Sequence, residues 1–221
     1  MPEIMITGSA GRLEGRYKHS KIPGAPIALI LHPNPQRGGT MNNKISYTLF
    51  QAFSDMGFST LRFNFRGVGR SQGEFSHGEG ELADAASALD WLQSVNPNAS
   101  SAWVGGFSFG AWIGMQLLMR RPEIHGYVSI SPPANIYDFS FLAPCPNEGL
   151  IVQGDADQVV HIESVNKLVE RLKTQRGAEG VAYNVIPGAG HFFNNPGEEE
   201  KMTACVRDYL ASRFMPMQAA A

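Results

Sequence analysis

The chain has 221 residues, 43% hydrophobic and 17% charged, which is enough to bury one sizeable core and does not require two domains. A net charge of -2, with the densest basic stretches confined to Arg120-Arg121 and to Lys167–Arg176 on a predicted helix beside Glu163 and Glu170, argues against a reader of nucleic-acid backbones. Cys145 and Cys205 are too few for a disulfide framework and too far apart for a metal pair, no signal-like leader opens the chain, and no run approaches the ~20 apolar residues of a membrane span; these features predict a cytoplasmic protein that takes neither a membrane nor nucleic acid as partner.

In chain order, apolar runs around Ile4 and Tyr17, joined through Gly8 to Gly11, predict an antiparallel start. A strand from Ile27 to Leu31 follows, then a helix whose face carries Ile45, Leu49, Ala52, Phe53 and Met56. The strand Thr60 to Phe65 leads to a helix with Leu82, Ala85, Ala86, Leu89 and Leu92 on one side. The strand Ala102 to Val104 runs through a glycine-rich turn into a helix from Ala111 to Leu118. Strands Tyr127 to Ile130 and Leu150 to Val152 come next, then a helix with Val165, Leu168, Val169 and Leu172. The strand Val181 to Ile186 and a helix with Val206, Tyr209 and Leu210 complete the pattern. Short apolar strands alternating with helices predict an α/β fold: one mostly parallel sheet of about seven to eight strands, covered on both faces. Residues 1–214 form the expected single domain, and residues 215–221 a frayed tail.

The turn Gly106-Phe107-Ser108-Phe109-Gly110 matches G-x-S-x-G, between a strand and a helix. A serine on such a sharp turn sits in strained backbone that lifts its hydroxyl clear of the sheet. Small residues two before and two after it let backbone approach closely. Ser108 is therefore the expected nucleophile.

A serine needs a base, and the base needs an orienting carboxylate, in the chain order Ser, Asp or Glu, His. Only His125, His161 and His191 follow Ser108. His125 falls at the amino end of a strand and His161 opens a helix. His191 follows the strand Val181 to Ile186 at its carboxyl end, and is the expected base. The strand Leu150 to Val152 leads into Gln153-Gly154-Asp155-Ala156-Asp157. Asp157, further into the loop, is the expected acid. Asp155 is expected to brace the turn through backbone N–H groups, and Asp138 is a further acid candidate.

An oxyanion needs two N–H donors. The N–H of Phe109, just after the nucleophile, is one. The other is expected from His32-Pro33-Asn34-Pro35, where proline has no N–H and Asn34 is left to donate. His32 is expected to order this loop.

These segments resemble the α/β-hydrolase superfamily over nearly the whole chain: the nucleophile turn Gly106 to Gly110, the acid loop Gly154 to Val160 and the histidine loop Gly188 to Phe193. The Asn64 to Gly73 segment is similar to a structural turn of that family, and His32-Pro33-Asn34-Pro35 replaces its more usual His-Gly pair. The chain is most similar to small hydrolases of the dienelactone hydrolase type, but carries Ser108 where those have a cysteine. The resemblance implies a serine esterase that hydrolyses a small acyl substrate, an ester or thioester, without metal or cofactor. The other readings are a peptidase, thioesterase or acyltransferase on the same residues, or a non-catalytic binding protein.

The stretch Ser131 to Gly149 is too short for a lid domain. An open pocket is expected, edged by Phe107, Phe109, Tyr137, Phe139, Phe141, Phe192 and Phe193. Phe107, Tyr137 and Phe192 are the leading candidates to touch substrate.

Overall fold

A computed structural model of the chain describes residues 3–142, 147–176 and 180–218. It contains one eight-stranded sheet, in the order β1-β2-β4-β3-β5-β6-β7-β8. The hairpin β1 (Glu3–Gly8) and β2 (Gly11–Lys18) is antiparallel, and β2 also pairs antiparallel with β4 (Ser59–Phe63). From β4 onward the neighbours are parallel: β3 (Ile27–Leu31), β5 (Ala102–Phe107), β6 (Ile124–Ile130), β7 (Glu148–Gly154) and β8 (Val181–Ile186).

Two apolar layers sandwich the sheet, and strand alternation sorts side chains between them. Ile27, Leu29 and Leu31 face helices α2 (Glu79–Ser94), α3 (Phe109–Arg120) and α4 (Ile162–Arg176). Ala28 and Ile30 face α1 (Lys44–Asp55) and α5 (Glu198–Gln218). All five residues of β3 are buried, as a strand covered on both faces requires.

Local chemistry sets the element ends. The Asn43 side chain accepts from the Ile45 and Ser46 N–H groups and so caps α1. At α2 the Glu81 carboxylate reaches back to the Gly78 N–H, the acidic half of a capping box.

The structure changes several expected extents: β6 begins at Ile124 rather than Tyr127, β7 runs from Glu148 to Gly154, and α3 begins at Phe109. β4 ends at Phe63 rather than Phe65. There the Asn64 N–H still bonds the Glu14 carbonyl, but the Phe65 N–H turns to His32. β5 continues past Val104 to Phe107, up to the nucleophile turn. The last helix runs to Gln218, and the Phe214 ring packs on Phe58 and Trp103 and ties that end of the helix to the sheet. Residues 219–221 and Cys145 lie outside the described residues. Cys205 is a free, partly buried thiol. Among the described residues no helix is long and apolar enough to cross a membrane.

Candidate active site

The parallel strands place the loops that follow them along one edge of the sheet. Ser108 sits between β5 and α3 with φ 54° and ψ -119°, a strained conformation for a side-chain-bearing residue. The flanking glycines make that turn possible. A Cβ on Gly106 would lie 2.5 Å from the Gly110 carbonyl, and one on Gly110 would lie 2.3 Å from the Leu31 carbonyl oxygen. The Ser108 N–H donates to Ile130 at 2.9 Å, and its carbonyl accepts from Ala111, starting the helix.

His191 follows β8 in the histidine loop, and Asp157 follows β7. Two hydrogen bonds stitch these loops together: Ala156 N–H to the Ala189 carbonyl at 3.1 Å, and Gly188 N–H to the Asp155 side-chain carboxylate at 2.6 Å. Asp155 thus braces the turn, as expected. Gly154 is packed so closely under this junction that a Cβ there would meet the Ala189 carbonyl oxygen at 2.2 Å.

The result is a continuous hydrogen-bonded chain. The Asp157 carboxylate lies 2.8 Å from His191 Nδ1, and His191 Nε2 lies 3.2 Å from Ser108 Oγ. An ionised carboxylate only accepts, so Nδ1 carries the proton and Nε2 presents its lone pair to the serine hydroxyl. The second Asp157 oxygen accepts from the Val159 and Val160 N–H groups, each at 2.8 Å. Burial pushes the Asp157 carboxyl up, but the bonds from His191, Val160 and Val159 together hold it below the usual carboxylate range. Asp157 is therefore ionised throughout the neutral range.

Gln153 is a residue that sequence reasoning did not assign. It is fully buried at the end of β7, and its amide donates to the same Asp157 oxygen that faces His191, at 3.1 Å. The signal was a lone polar residue directly after the apolar run Leu150-Ile151-Val152. Asp138 is elsewhere: its carboxylate accepts from the Ser140 hydroxyl and N–H, which hold it low, and it has no contact with His191. His161 and His125 are exposed; the former precedes α4, and the latter lies at the amino end of β6.

A cavity of about 620 Å³ opens over Ser108 and His191. Phe109, Tyr137 and Phe192 of the expected pocket edge line it, together with Asn34. Phe107 does not. It is the last residue of β5, and strand alternation turns its ring to the α1/α5 side, where it packs 5.0 Å beneath the His191 imidazole. Phe193 is likewise fully buried in that layer. Phe139 is buried on the opposite face and Phe141 packs against it, so both also lie outside the cavity wall. Pro33, Pro133, Ile136, Val159, Gln158 and Arg37 take part in the lining and were not foreseen, because they come from three separate loops.

The Asn34 loop is held tightly. The Asn34 carbonyl accepts from the Arg37 and Gly39 N–H groups, both at 3.0 Å, and a Cβ on Gly39 would lie 2.0 Å from the Pro33 carbonyl oxygen. Across the cavity, the Asn34 amide donates to the Tyr137 hydroxyl at 3.3 Å.

His32 anchors the base of this loop. Its Nδ1 donates to the Pro33 carbonyl at 2.7 Å and its Nε2 accepts from the Phe65 N–H at 3.0 Å, which fixes the neutral tautomer. Burial drives this imidazole down to about 4, against a smaller upward pull from the Pro33 carbonyl. The unfolded chain takes up that proton near 6.5, so the contribution of neutral His32 to stability is complete above that pH and is lost as the pH falls toward 4. In urea titrations between pH 7 and pH 4, the wild type should lose about 3 kcal/mol more than His32→Gln. Parallel pH dependences for the two proteins would rule out this role.

Comparison with known proteins agrees with this architecture. Residues 21–156 match the family model of the X-Pro dipeptidyl-peptidases (S15 family), and residues 125–215 match that of the prolyl oligopeptidase family. The first match spans more than half of the chain. The chain belongs to the α/β serine hydrolases, and within them to the family that the S15 model describes. Among solved structures, the candidate α/β hydrolase ATU1826 of Agrobacterium tumefaciens is 62% identical, with TM-score 0.92 over 96% of both chains. XC6422 of Xanthomonas campestris, an α/β serine hydrolase without a lid, is 29% identical, with TM-score 0.84 over 96% of this chain and 94% of its own. The chain shares that lid-less architecture. The uncharacterised protein RP471 of Rickettsia prowazekii (strain Madrid E) is 53% identical over 95% of this chain and 89% of its own. Lysophosphatidylserine lipase ABHD12 of Bos taurus is 25% identical over 73% of this chain, which spans 45% of that relative's length.

Proposed function

We propose that the protein is a serine esterase that cleaves small acyl esters through an acyl-enzyme intermediate. The observation that carries this reading is the hydrogen-bonded chain Ser108–His191–Asp157 at the floor of an open cavity of about 620 Å³. Ser108 Oγ attacks the ester carbonyl carbon as His191 Nε2 takes the hydroxyl proton. The oxyanion is received by the N–H groups of Asn34 and Phe109. Collapse breaks the bond to the leaving alcohol, which departs with the proton from Nε2 and leaves the acyl group on Ser108. Water then enters, gives its proton to Nε2 and attacks the acyl carbon. The carboxylic acid leaves, and the proton returns to Ser108. Asp157 keeps His191 in the productive tautomer and stabilises the imidazolium of each transition state. Tyr137 and Phe192 flank the acyl or alcohol group.

The second reading is a peptidase, favoured by the two peptidase family models. A dipeptidyl-peptidase acts on a free amino terminus, and a buried ammonium calls for a carboxylate partner. Among the described residues no aspartate or glutamate lines the cavity, which speaks against the dipeptidyl-peptidase form of this reading.

The test is covalent labelling with a fluorophosphonate probe, together with a panel of para-nitrophenyl esters, thioesters and dipeptide anilides. The expected result is phosphonylation at Ser108 and turnover of short esters well above that of anilides. Labelling at another residue, or anilides turned over faster than esters, would overturn the reading.

A further inference from the structure

Arg37 stands in the wall of the catalytic cavity, and among the described residues it has no ion-pair partner. Arg37, an exposed residue, lines the same space as Ser108 and His191, and among the described residues the lining contains no carboxylate. Among the described residues no acid forms an ion pair with it, as is also true of Arg12, Arg62, Arg120 and Arg171, whereas Arg16, Arg66, Arg70, Arg121, Arg207 and Arg213 each have at least one.

The backbone under this cation is fixed rather than free. Arg37 closes the short 3-10 turn that starts at Pro35, and its N–H bonds the Asn34 carbonyl. The turn ends on Gly38 in the left-handed region (φ 77°), then on Gly39 jammed under Pro33. The loop that offers the Asn34 N–H to the reaction centre thus also sets where the guanidinium starts. Burial pushes the Tyr137 phenol up, the bond from Asn34 and then the charge of Arg37 offset part of that push, and the Glu81 carboxylate adds to it.

The remainder of the wall is mainly apolar, interrupted by Asn34, Asn43, Gln158 and Tyr137, which are uncharged. Ile136, Val159 and Phe192, which line it, are 56%, 43% and 47% exposed. A single cation on an apolar cleft wall draws anions inward, because field lines concentrate where the walls polarise poorly. A guanidinium is weakly hydrated, and its planar fork matches a carboxylate or phosphate with two parallel hydrogen bonds.

We propose that Arg37 is a specificity-determining residue, and that the preferred substrates are esters with an apolar body and a second, ionised oxyanion group, carboxylate or phosphate, that reaches Arg37. This rests on the esterase reading above and names its substrate class. Arg37 acts in binding and does not touch the reacting carbonyl.

The test compares matched esters in the wild type, Arg37→Gln and Arg37→Glu. On the acyl side, para-nitrophenyl hydrogen adipate is set against para-nitrophenyl hexanoate. On the alcohol side, para-acetoxybenzoate and para-acetoxyphenyl phosphate are each set against para-acetoxytoluene. The readout is the ratio of kcat/KM for the anionic ester to that for its neutral partner within each protein, which cancels any general loss of activity. The wild type should favour the anion on at least one side by roughly fivefold, the scale of a solvent-accessible ion pair. The ratio should fall toward one in Arg37→Gln, fall below one in Arg37→Glu, and shrink in the wild type as salt is raised. The benzoate and phosphate arms show which oxyanion is taken. Ratios that are the same in wild type and Arg37→Gln, or a wild type that disfavours every anionic ester, would overturn the proposal and leave the esterase reading intact. A wild type that hydrolyses none of these esters would overturn both.

Discussion

Ser108→Ala should lower kcat on an activated ester by about 10⁴- to 10⁶-fold, the range seen when a serine nucleophile is removed. The fold should survive. The Ser108 hydroxyl bonds His191, while the backbone ties of the turn run through its N–H and carbonyl. Alanine adopts the same φ of 54° with no new atom to place. The melting temperature should therefore move by no more than about 2 °C. His191→Ala should cause a similar loss, because the serine then has no acceptor for its proton. Residues that act as one unit are not additive, so the double variant should be scarcely slower than either single one. Measured kcat values that multiply independently, or a Ser108→Ala loss below tenfold, would exclude Ser108 as nucleophile.

Asp157→Asn should cut kcat on the order of 10⁴-fold, and the geometry explains why so conservative a change acts so strongly. One carboxylate oxygen is pinned by the Val159 and Val160 N–H groups. An asparagine would keep its carbonyl oxygen there, because only an acceptor suits two donors. Its NH2 would then face His191 Nδ1, forcing the ring proton onto Nε2, the atom that must accept from Ser108. The same NH2 would also meet the Gln153 amide, donor against donor, at a buried position. Asp157→Asn should thus also lose about 1–3 kcal/mol of stability. Asp155→Asn offers a contrast: it disturbs only the tie to Gly188, on the exposed side of the loop, and should keep most of the activity. The check is kcat for both variants beside urea titrations. Asp155→Asn proving the slower enzyme would reverse the assignment.

The strand and helix pattern was legible because nearly every element is covered on a known face. The alternation in β3 and the helical spacing of Ile45, Leu49, Ala52 and Phe53 record which side meets the core. Ser108 was legible for a different reason. The backbone there tolerates only glycine at positions 106 and 110, so local geometry is written into the residue types. The aromatic residues were harder. A phenylalanine serves a cavity wall and a core equally well, and Phe107, Phe139 and Phe193 went to the core because strand parity and loop curvature point them there. Gln153 carried only a faint mark, since one polar side chain after an apolar run has no visible partner until the neighbouring loop is in place.

By itself, the sequence determined the fold class and the serine on its strained turn, because each follows from local periodicity or from backbone sterics within a few residues; the acid and histidine candidates came from applying that fold's chain order to the residues after Ser108. The tertiary structure decided what depends on distant segments meeting. The ties from Ala156 to Ala189 and from Asp155 to Gly188 set Asp157 rather than Asp155 against His191. The packing of three loops around one cavity left Arg37 lining it with no carboxylate beside it among the described residues. Charge balance in a cleft is a sum over residues far apart in the chain, and no stretch of sequence contains that sum.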